Sequence, residues 1–474
     1  MPNATMLRFI GVDQSFPAKR EAAARADDFL EIARPYLIAK AEEQASRCSQ
    51  CGVPFCQVHC QLHNNIPDWL RLTAEGRLEE AYEASAATSS MPEICGRICP
   101  QDRLCEGNCV IEPGFGAVTI GSVEKFITDT AWDNGWVKPL RVVADRSSQS
   151  VGIIGAGPAG LTAAEMLRVK GYAVHVYDRH DRPGGLLTYG IPGFKLEKDV
   201  VARRVARLAA AGIVFHTNVD VGRGTSLDDL RARHDAVLIA TGVYAARELM
   251  APGSGAGEIV EALDYLFASN RRGFGESVVG FDAADRDVVV VGGGDTAMDC
   301  VRTAVRQGAR SVKCLYRRDR ENMPGSPREV AHAEEEGVEF VWLSAPAGFS
   351  GDRVTGVHVQ RMRLGPADAS GRRAPEADPM GVEHIAADLV IKALGFDAED
   401  LPTIFAAPDL SVTRWGTLRV DHAAMMTNLP GVFAAGDIVR GSSLVVWAIR
   451  DGRDVAKTMH AYLAAQAAAT KVAA

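Results

Sequence analysis

The sequence lacks the two features that would take it out of the aqueous interior of a cell. No stretch approaches the ~18 consecutive apolar side chains of a membrane-spanning helix. The start, Met1 to Ile10, holds no uninterrupted apolar segment of the kind that directs secretion. Both absences predict a cytoplasmic protein, whose thiols stay reduced. Basic charge is not in excess: 52 Lys and Arg against 60 Asp and Glu leave −8, which removes any electrostatic pull toward nucleic acid or an anionic membrane. Cysteine is missing from Val110 to Asp299. That gap excludes, in mid-chain, the thiol pair on which disulfide-reducing enzymes depend. The remainder, 47% hydrophobic residues over 474 positions, is the make-up of an ordinary folded protein of about three domains.

The cysteines that are present crowd together. Eight of the ten form two groups, Cys48-x2-Cys51-x4-Cys56-x3-Cys60 and Cys95-x3-Cys99-x5-Cys105-x3-Cys109. In a reducing compartment such clustering argues for metal rather than disulfides. Thiolates suit iron–sulfur clusters or zinc. Structural zinc usually shows two tidy pairs with a long spacer, whereas this compressed, uneven spacing fits cubane clusters, and eight thiols suffice for two of the 4Fe–4S type. The last cysteine of a run can ligate the other cluster, so the sequence groups need not equal the sites. Cys300 and Cys314 are isolated and read as small core residues. Around the thiols, residues 17–47 and 67–87 have helical composition and spacing, and no strand-like run occurs. Residues 141–150 read as a linker.

At Val151 the texture changes to a βαβ unit: a buried strand at 151–154, a glycine turn, a helix to about Lys170 and a strand at 173–177. The turn reads Gly155-Ala-Gly157-Pro-Ala-Gly160. These glycines allow a tight turn, a close approach of backbone to pyrophosphate, and close packing of helix on sheet. Asp178 ends the second strand, where a carboxylate would take ribose hydroxyls. Gly184-Gly185 and the later Gly436-Asp437 suit a large, extended cofactor, so the first site is expected to bind FAD. The pattern recurs at Asp287–Val291, with Gly292-Gly293-Gly294-Asp295-Thr296-Ala297, a helix to about Gln307 and a strand at Ser311–Tyr316. Here Arg317 and Arg318 replace the acid. Guanidinium groups pair with a phosphate, which favours NADPH at the second site. Strands are expected at 338–343, 354–362 and 432–435, an exposed loop at 363–383, and a frayed Ala-rich helix after about Tyr462. Ala393-Leu-Gly395 is expected to mark a return crossing on the nicotinamide side.

These residues together resemble the small subunits of bacterial NADPH-dependent glutamate synthases. The likeness is carried by Arg47-Cys-Ser-Gln-Cys-Gly-Val-Pro-Phe-Cys56, by 94–109, by Tyr189-Gly-Ile-Pro-Gly-Phe-Lys-Leu196, by Gly292 to Cys300 and by Gly436-Asp-Ile-Val-Arg-Gly441. It covers nearly the whole chain. The resemblance implies FAD, NADPH and two 4Fe–4S clusters. It also implies a large partner subunit carrying FMN and a 3Fe–4S cluster, which makes L-glutamate from 2-oxoglutarate and glutamine. Gln61 departs from the family's usual proline but leaves every thiol in place. The same modules are similar to the NADPH half of dihydropyrimidine dehydrogenase and to the large subunit of NADH-dependent ferredoxin:NADP oxidoreductase. Those relatives imply that Cys48, Cys51, Cys56 and Cys109 share one cluster, and that Cys60, Cys99, Cys105 and Glu124 share the other, with Cys95 spare. Cysteine count alone favours Cys95 as the ligand. The expected fold is α/β: an N-terminal helical iron–sulfur domain (1–146), then Rossmann-like FAD (147–284 and 397–474) and NADP (285–396) domains in a disulfide-reductase-like arrangement, the second inserted in the first. The rival functions are an NADPH:ferredoxin-type, even bifurcating, oxidoreductase and a non-catalytic docking subunit.

Overall fold

In the computed structural model, which describes residues 6–368 and 373–473, the chain up to residue 145 forms short helices around a small core. Residues 1–5, which begin the N-terminal stretch read above, lie outside the described part. The helices Ile66–Ala74 and Leu78–Ala86 replace the single one expected over 67–87. Gly76, at φ +73°, breaks them apart. Trp69 is fully buried between them and its indole donates to Asn64 Oδ1 at 3.0 Å. The helix expected over 17–47 is a correction: only Ala22–Ala26 and Ile38–Ala45 are helical. Pro35 disfavours the helical conformation at Arg34 before it. The intervening segment instead wraps outward, closed by Arg20 on Asp28 (2.8 Å).

The strands run β1 Arg146–Ile154, β2 Tyr172–Tyr177, β3 Val214–His216, β4 Ala236–Ile239, β5 Ala245–Ala246, β6 Ile259–Glu261, β7 Asp287–Val291 and β8 Ser311–Tyr316. They continue as β9 Glu339–Trp342, β10 Ser344–Ser350, β11 Gly356–Ala367, β12 Arg373–Ala386, β13 Leu389–Lys392, β14 Phe396–Asp397 and β15 Val432–Ala434. A parallel sheet has the order β15-β4-β1-β2-β3, and a second parallel sheet the order β6-β13-β7-β8-β9. The second sheet is therefore inserted between β4 and β15 of the first. Its first strand, β6, lies at 259–261, well before the division drawn at 285 from sequence. The linker expected over 141–150 ends in β1, which starts at Arg146.

The chain crosses between the sheets twice, and the crossings pair as β5 and β14. Antiparallel β10-β11-β12 covers one face of the second sheet through Val357, Val359 and Phe349. The exposed loop expected over 363–383 is instead the outer arm of the β11–β12 hairpin, with 369–372 outside the described residues. Its side chains are mostly exposed, so backbone pairing forms it without the apolar alternation that marks a strand in sequence. The Ala-rich end continues the helix Val445–Ala473, which packs on the helix Pro158–Val169 of the first sheet. Among the described residues no helix is long and apolar enough to cross a membrane.

Candidate redox site

β1 runs directly into the first glycine turn. Gly155 has φ +104°, and a Cβ there would lie 2.4 Å from the Ala240 carbonyl oxygen, so only glycine fits. A Cβ on Gly160 would strike the Gly155 oxygen at 2.0 Å, which lets the helix start hard against the sheet. Gly157, the N-cap of that helix, meets nothing within 4 Å. Backbone is thus crowded on two sides and open on the third, where unpaired helix N–H groups attract anionic oxygen. The second glycine pair abuts this turn, since a Cβ on Gly185 would come 2.9 Å from Gly157 Cα. Gly436 lies against Ala159, its own Cβ position 3.0 Å from that methyl. Asp437 follows and accepts from Ser443 Oγ at 2.6 Å. Burial raises the Asp437 carboxyl above its usual range, with Ser443 opposing. Asp178 is buried and braces the turn, accepting from the amides of Ala156 (2.7 Å) and His180 (2.8 Å). Each oxygen keeps a lone pair for a ribose hydroxyl.

The second turn has the same build. Gly292, at φ +149°, would place a Cβ 2.2 Å from the Ala393 oxygen, so the return crossing sits on the turn as expected. Gly293 packs against the Tyr316 ring, and Gly294, open within 4 Å, caps the helix Asp295–Arg306 that carries Thr296 and Ala297. Gly395 accepts from the Arg247 amide at 3.1 Å and so ties the two crossings together. Arg317 is exposed at the end of β8, and Arg318 Nε is buried with no partner. Arg320, by contrast, is held by Glu334 at 2.8 Å. An unsatisfied buried guanidinium donor beside an open turn fits a phosphate.

The thiols divide in space as electrostatic neighbours. Burial first, then Cys48, Cys109 and Cys51, push the Cys56 thiol up to about 12. Burial pushes Cys60 up to about 11, with Cys95 and Glu124 adding to it. Burial raises Cys105 strongly, and Glu106, Cys60 and Glu124 reinforce it. The Cys95 contact, then burial, raises Cys99. Cys48, Cys51, Cys56 and Cys109 thus act on one another, as do Cys60, Cys95, Cys99, Cys105 and Glu124, while Cys56 also acts on Cys105 across the two groups. Thiols held protonated by burial ionise only against nearby cationic charge, which a metal cluster supplies. Glu124 is pushed up to about 8 by burial, although Ser85 Oγ donates to it at 3.0 Å. Among the described residues no three such groups close on a single-ion site. Cys95 lies in the core of the first sheet with Cys60 and Cys99 against it, whereas Cys48 and Cys105 lie in the N-terminal core with Cys56, Cys60 and Cys109 against it.

Two features escaped the sequence reading. Arg47, beside Cys48, is fully buried and donates to the carbonyls of Val12, Ala117, Phe115 and Gly116 at 2.6–2.9 Å. The loop at 323–327 joins the second turn to the second thiol group. Ser326 N donates to Asp295 at 2.9 Å, Ser326 Oγ to Asp102 at 3.0 Å, and Arg328 pairs with Glu106 at 2.7 Å. Its Pro-Gly-Ser-Pro composition was the available signal.

Two dinucleotide cradles on interleaved sheets, entered from a thiol-rich helical domain, define an iron–sulfur flavoprotein of the pyridine nucleotide–disulphide oxidoreductase class. Residues 149–452 match that family, and residues 25–136 match the family described as dihydropyrimidine dehydrogenase domain II, 4Fe–4S cluster. Among solved structures, FprA of Mycobacterium tuberculosis in complex with NADPH shares the fold (20% identity, TM-score 0.58, 68% of this chain and 86% of that one). So does Lactococcus lactis thioredoxin reductase (23%, TM-score 0.50, 67% and 99%). The glutamate synthase (NADPH) small chain of Azospirillum brasilense is 66% identical over 99% of this chain and 98% of its own. That of Escherichia coli K12 is 46% identical over 95% and 97%. The chain belongs to the family of glutamate synthase (NADPH) small chains.

Proposed function

We propose that the protein is the NADPH-oxidising subunit of a glutamate synthase, delivering electrons to a large subunit that forms L-glutamate from 2-oxoglutarate and glutamine. The observation that carries this reading is the packing of Cys60, Cys95 and Cys99 against the core of the sheet that bears the first glycine turn. When bound, NADPH and FAD supply hydride transfer, and 4Fe–4S clusters supply one-electron transfer. The chain's own residues position these groups. Gly155, Gly157, Gly160 and Gly185, with Asp178, Gly436 and Asp437, cradle FAD. Gly292, Gly293, Gly294 and the N-terminus of the helix Asp295–Arg306 cradle NADPH, Arg317 and Arg318 take its 2′-phosphate, and Ala393 and Gly395 border the nicotinamide side. Cys48, Cys51, Cys56 and Cys109 hold one cluster, and Cys60, Cys99, Cys105 and Glu124 the other. Three units follow: the helical domain, the flavin domain carrying β1–β4 and β15, and the nucleotide domain between them. Exposed Val53, Phe55, Val58 and Val110 adjoin the first thiol group in sequence and suit a partner that covers it.

The test is anaerobic iron, sulfide and flavin analysis of the chain co-expressed with its large subunit, with glutamate formation from NADPH, glutamine and 2-oxoglutarate assayed on the same sample. About eight irons on this chain with FAD and glutamate formation are expected. FAD and iron with NADPH–dye activity but no glutamate would move the assignment to a ferredoxin-type oxidoreductase. Zinc in place of iron would end the electron-relay reading.

A further inference from the structure

The two sheets are joined by the paired crossings β5 and β14, with Arg247 on Asp397 at 2.9 Å, and by contacts of residues 181–190 with the helix Ala262–Gly273, such as Asn270 on the Tyr189 carbonyl at 2.8 Å. Domains so linked move relative to each other unless something larger holds them. A buried cluster does hold them. The helix Asp295–Arg306, whose N-terminus is the second glycine turn, presents Asp299, Arg302 and Arg306 along one face, at helical spacing. Phe194, from the loop that follows the second glycine pair of the flavin domain, is fully buried between two of them. Its ring centroid lies 4.5 Å from the Arg302 guanidinium and 4.0 Å from that of Arg306. Next to it Lys195 pairs with Asp299 at 2.9 Å and with Glu329 at 3.7 Å.

The guanidiniums are themselves fixed. Arg302 reaches Glu329 (2.6 Å) and Glu336 (2.9 Å), and Arg306 reaches Glu336 (2.6 Å). The N-terminal domain closes the cluster: Arg25, 3% exposed, pairs with Glu335 (2.8 Å) and Glu336 (3.3 Å), and Phe29 lies beside Phe194 at 6.3 Å. Lys195, Arg302, Arg306 and Arg25 balance Asp299, Glu329, Glu335 and Glu336. Such groups are costly to separate, because each would leave an uncompensated buried charge. Desolvated arginine over an aromatic face adds to the hold.

We propose that Phe194 and Lys195 are positioning residues for hydride transfer: they lock the helix that presents the nucleotide to the loop that follows the flavin cradle, so that donor and acceptor meet in one preset orientation. This rests on the assignment of the two cradles to FAD and NADPH. The lock engages the flank of the helix and leaves its N-terminus to the ligand. Losing it changes geometry and not affinity, and misplacement of about 1 Å costs about a hundredfold in rate.

The test uses the full-length chain with its cofactors, as Phe194→Ala, Phe194→Leu, Lys195→Met and Lys195→Arg. Stopped-flow flavin reduction by NADPH, NADP+ affinity, and hydrogen exchange at β5 and β14 are read on each. In Phe194→Ala and Lys195→Met the saturating rate is expected to fall about tenfold to a hundredfold. NADP+ affinity should hold within about twofold, exchange at the crossings should rise, and Lys195→Arg should restore both rate and protection. Phe194→Leu keeps bulk but removes the ring, so it decides the question if the alanine variant loses FAD or iron. Parental rates in Phe194→Leu and Lys195→Met, or a loss confined to affinity, overturn the lock. A parent chain whose flavin NADPH does not reduce overturns the underlying assignment instead.

Discussion

Arg317 and Arg318 stand at the end of β8, in the place that Asp178 occupies at the end of β2. In the proposed NADPH site this exchange of acid for base selects a phosphorylated ribose, and its expected effect has a measurable size. A charge-assisted hydrogen bond is worth about 1.5–3 kcal/mol, or roughly tenfold to a hundredfold in binding. Arg317→Ala is therefore expected to raise KM for NADPH by that factor and to leave weak NADH oxidation unchanged. Equal losses with both nucleotides in steady-state assays would remove the 2′-phosphate from the account. Glu124 presents a second choice at this scale. Its carboxyl is buried and acts electrostatically on Cys60, Cys99 and Cys105, while Cys95 acts on Cys60 and Cys99. With Glu124 as ligand, Cys95→Ser keeps about eight irons per chain and Glu124→Ala keeps about four. The reverse pattern would make Cys95 the ligand.

At the scale of elements, a histidine group gathers beside β1–β3: His175 on β2, His216 on β3, whose carbonyl accepts from the Asp178 amide, and His234 at the end of the helix Leu227–Arg233. His175 Nδ1 meets His216 Nε2 at 3.0 Å, and His234 is held by Tyr177 at 2.9 Å and Ser150 at 3.0 Å. Burial, then His175, Arg233 and His216, pulls His234 down to about 4 from 6.5, with Asp235 opposing. Between those values the unfolded chain binds more protons, so the stability this group contributes is intact above pH 6.5 and drains away as pH falls to about 4. Unfolding midpoints of the parent should fall more steeply over that window than those of His234→Gln. Parallel curves would show that other groups govern the acid limb. The glycine turns and β7 to β8 were legible in sequence because the positive φ at Gly155 and Gly292 is a local demand that leaves a local signature. The hairpin arm over 363–383 was not, since it is held by backbone pairing with solvent on its side chains. Phe194 was quoted only as part of a motif. Its two arginines lie more than a hundred residues away, a distance no spacing rule spans.

For the whole molecule the proposed cluster assignments carry an expected order of electron flow. Cys60, Cys95 and Cys99 adjoin the hydrophobic core of the flavin domain, while Cys48, Cys56, Cys105 and Cys109 adjoin that of the helical domain, which Cys60 also borders. On the proposed ligand sets, Cys60 and Cys99 bring the second cluster to the flavin domain's core, so electrons leaving the flavin are expected to meet it before the Cys48–Cys51–Cys56–Cys109 cluster. Spacing alone does not give this order, because in the proposed ligand sets Cys60 from the first run joins the second group and Cys109 from the second run joins the first. Cys105→Ala should consequently break the relay in the middle. NADPH would still bleach the flavin of such a variant at the parental rate. The remaining cluster would stay oxidised on the turnover timescale by rapid-freeze electron paramagnetic resonance, and glutamate formation with the large subunit would be lost. A remaining cluster that reduces as fast as in the parent would mean that electrons reach it directly, and the serial order read from the two cores would be wrong.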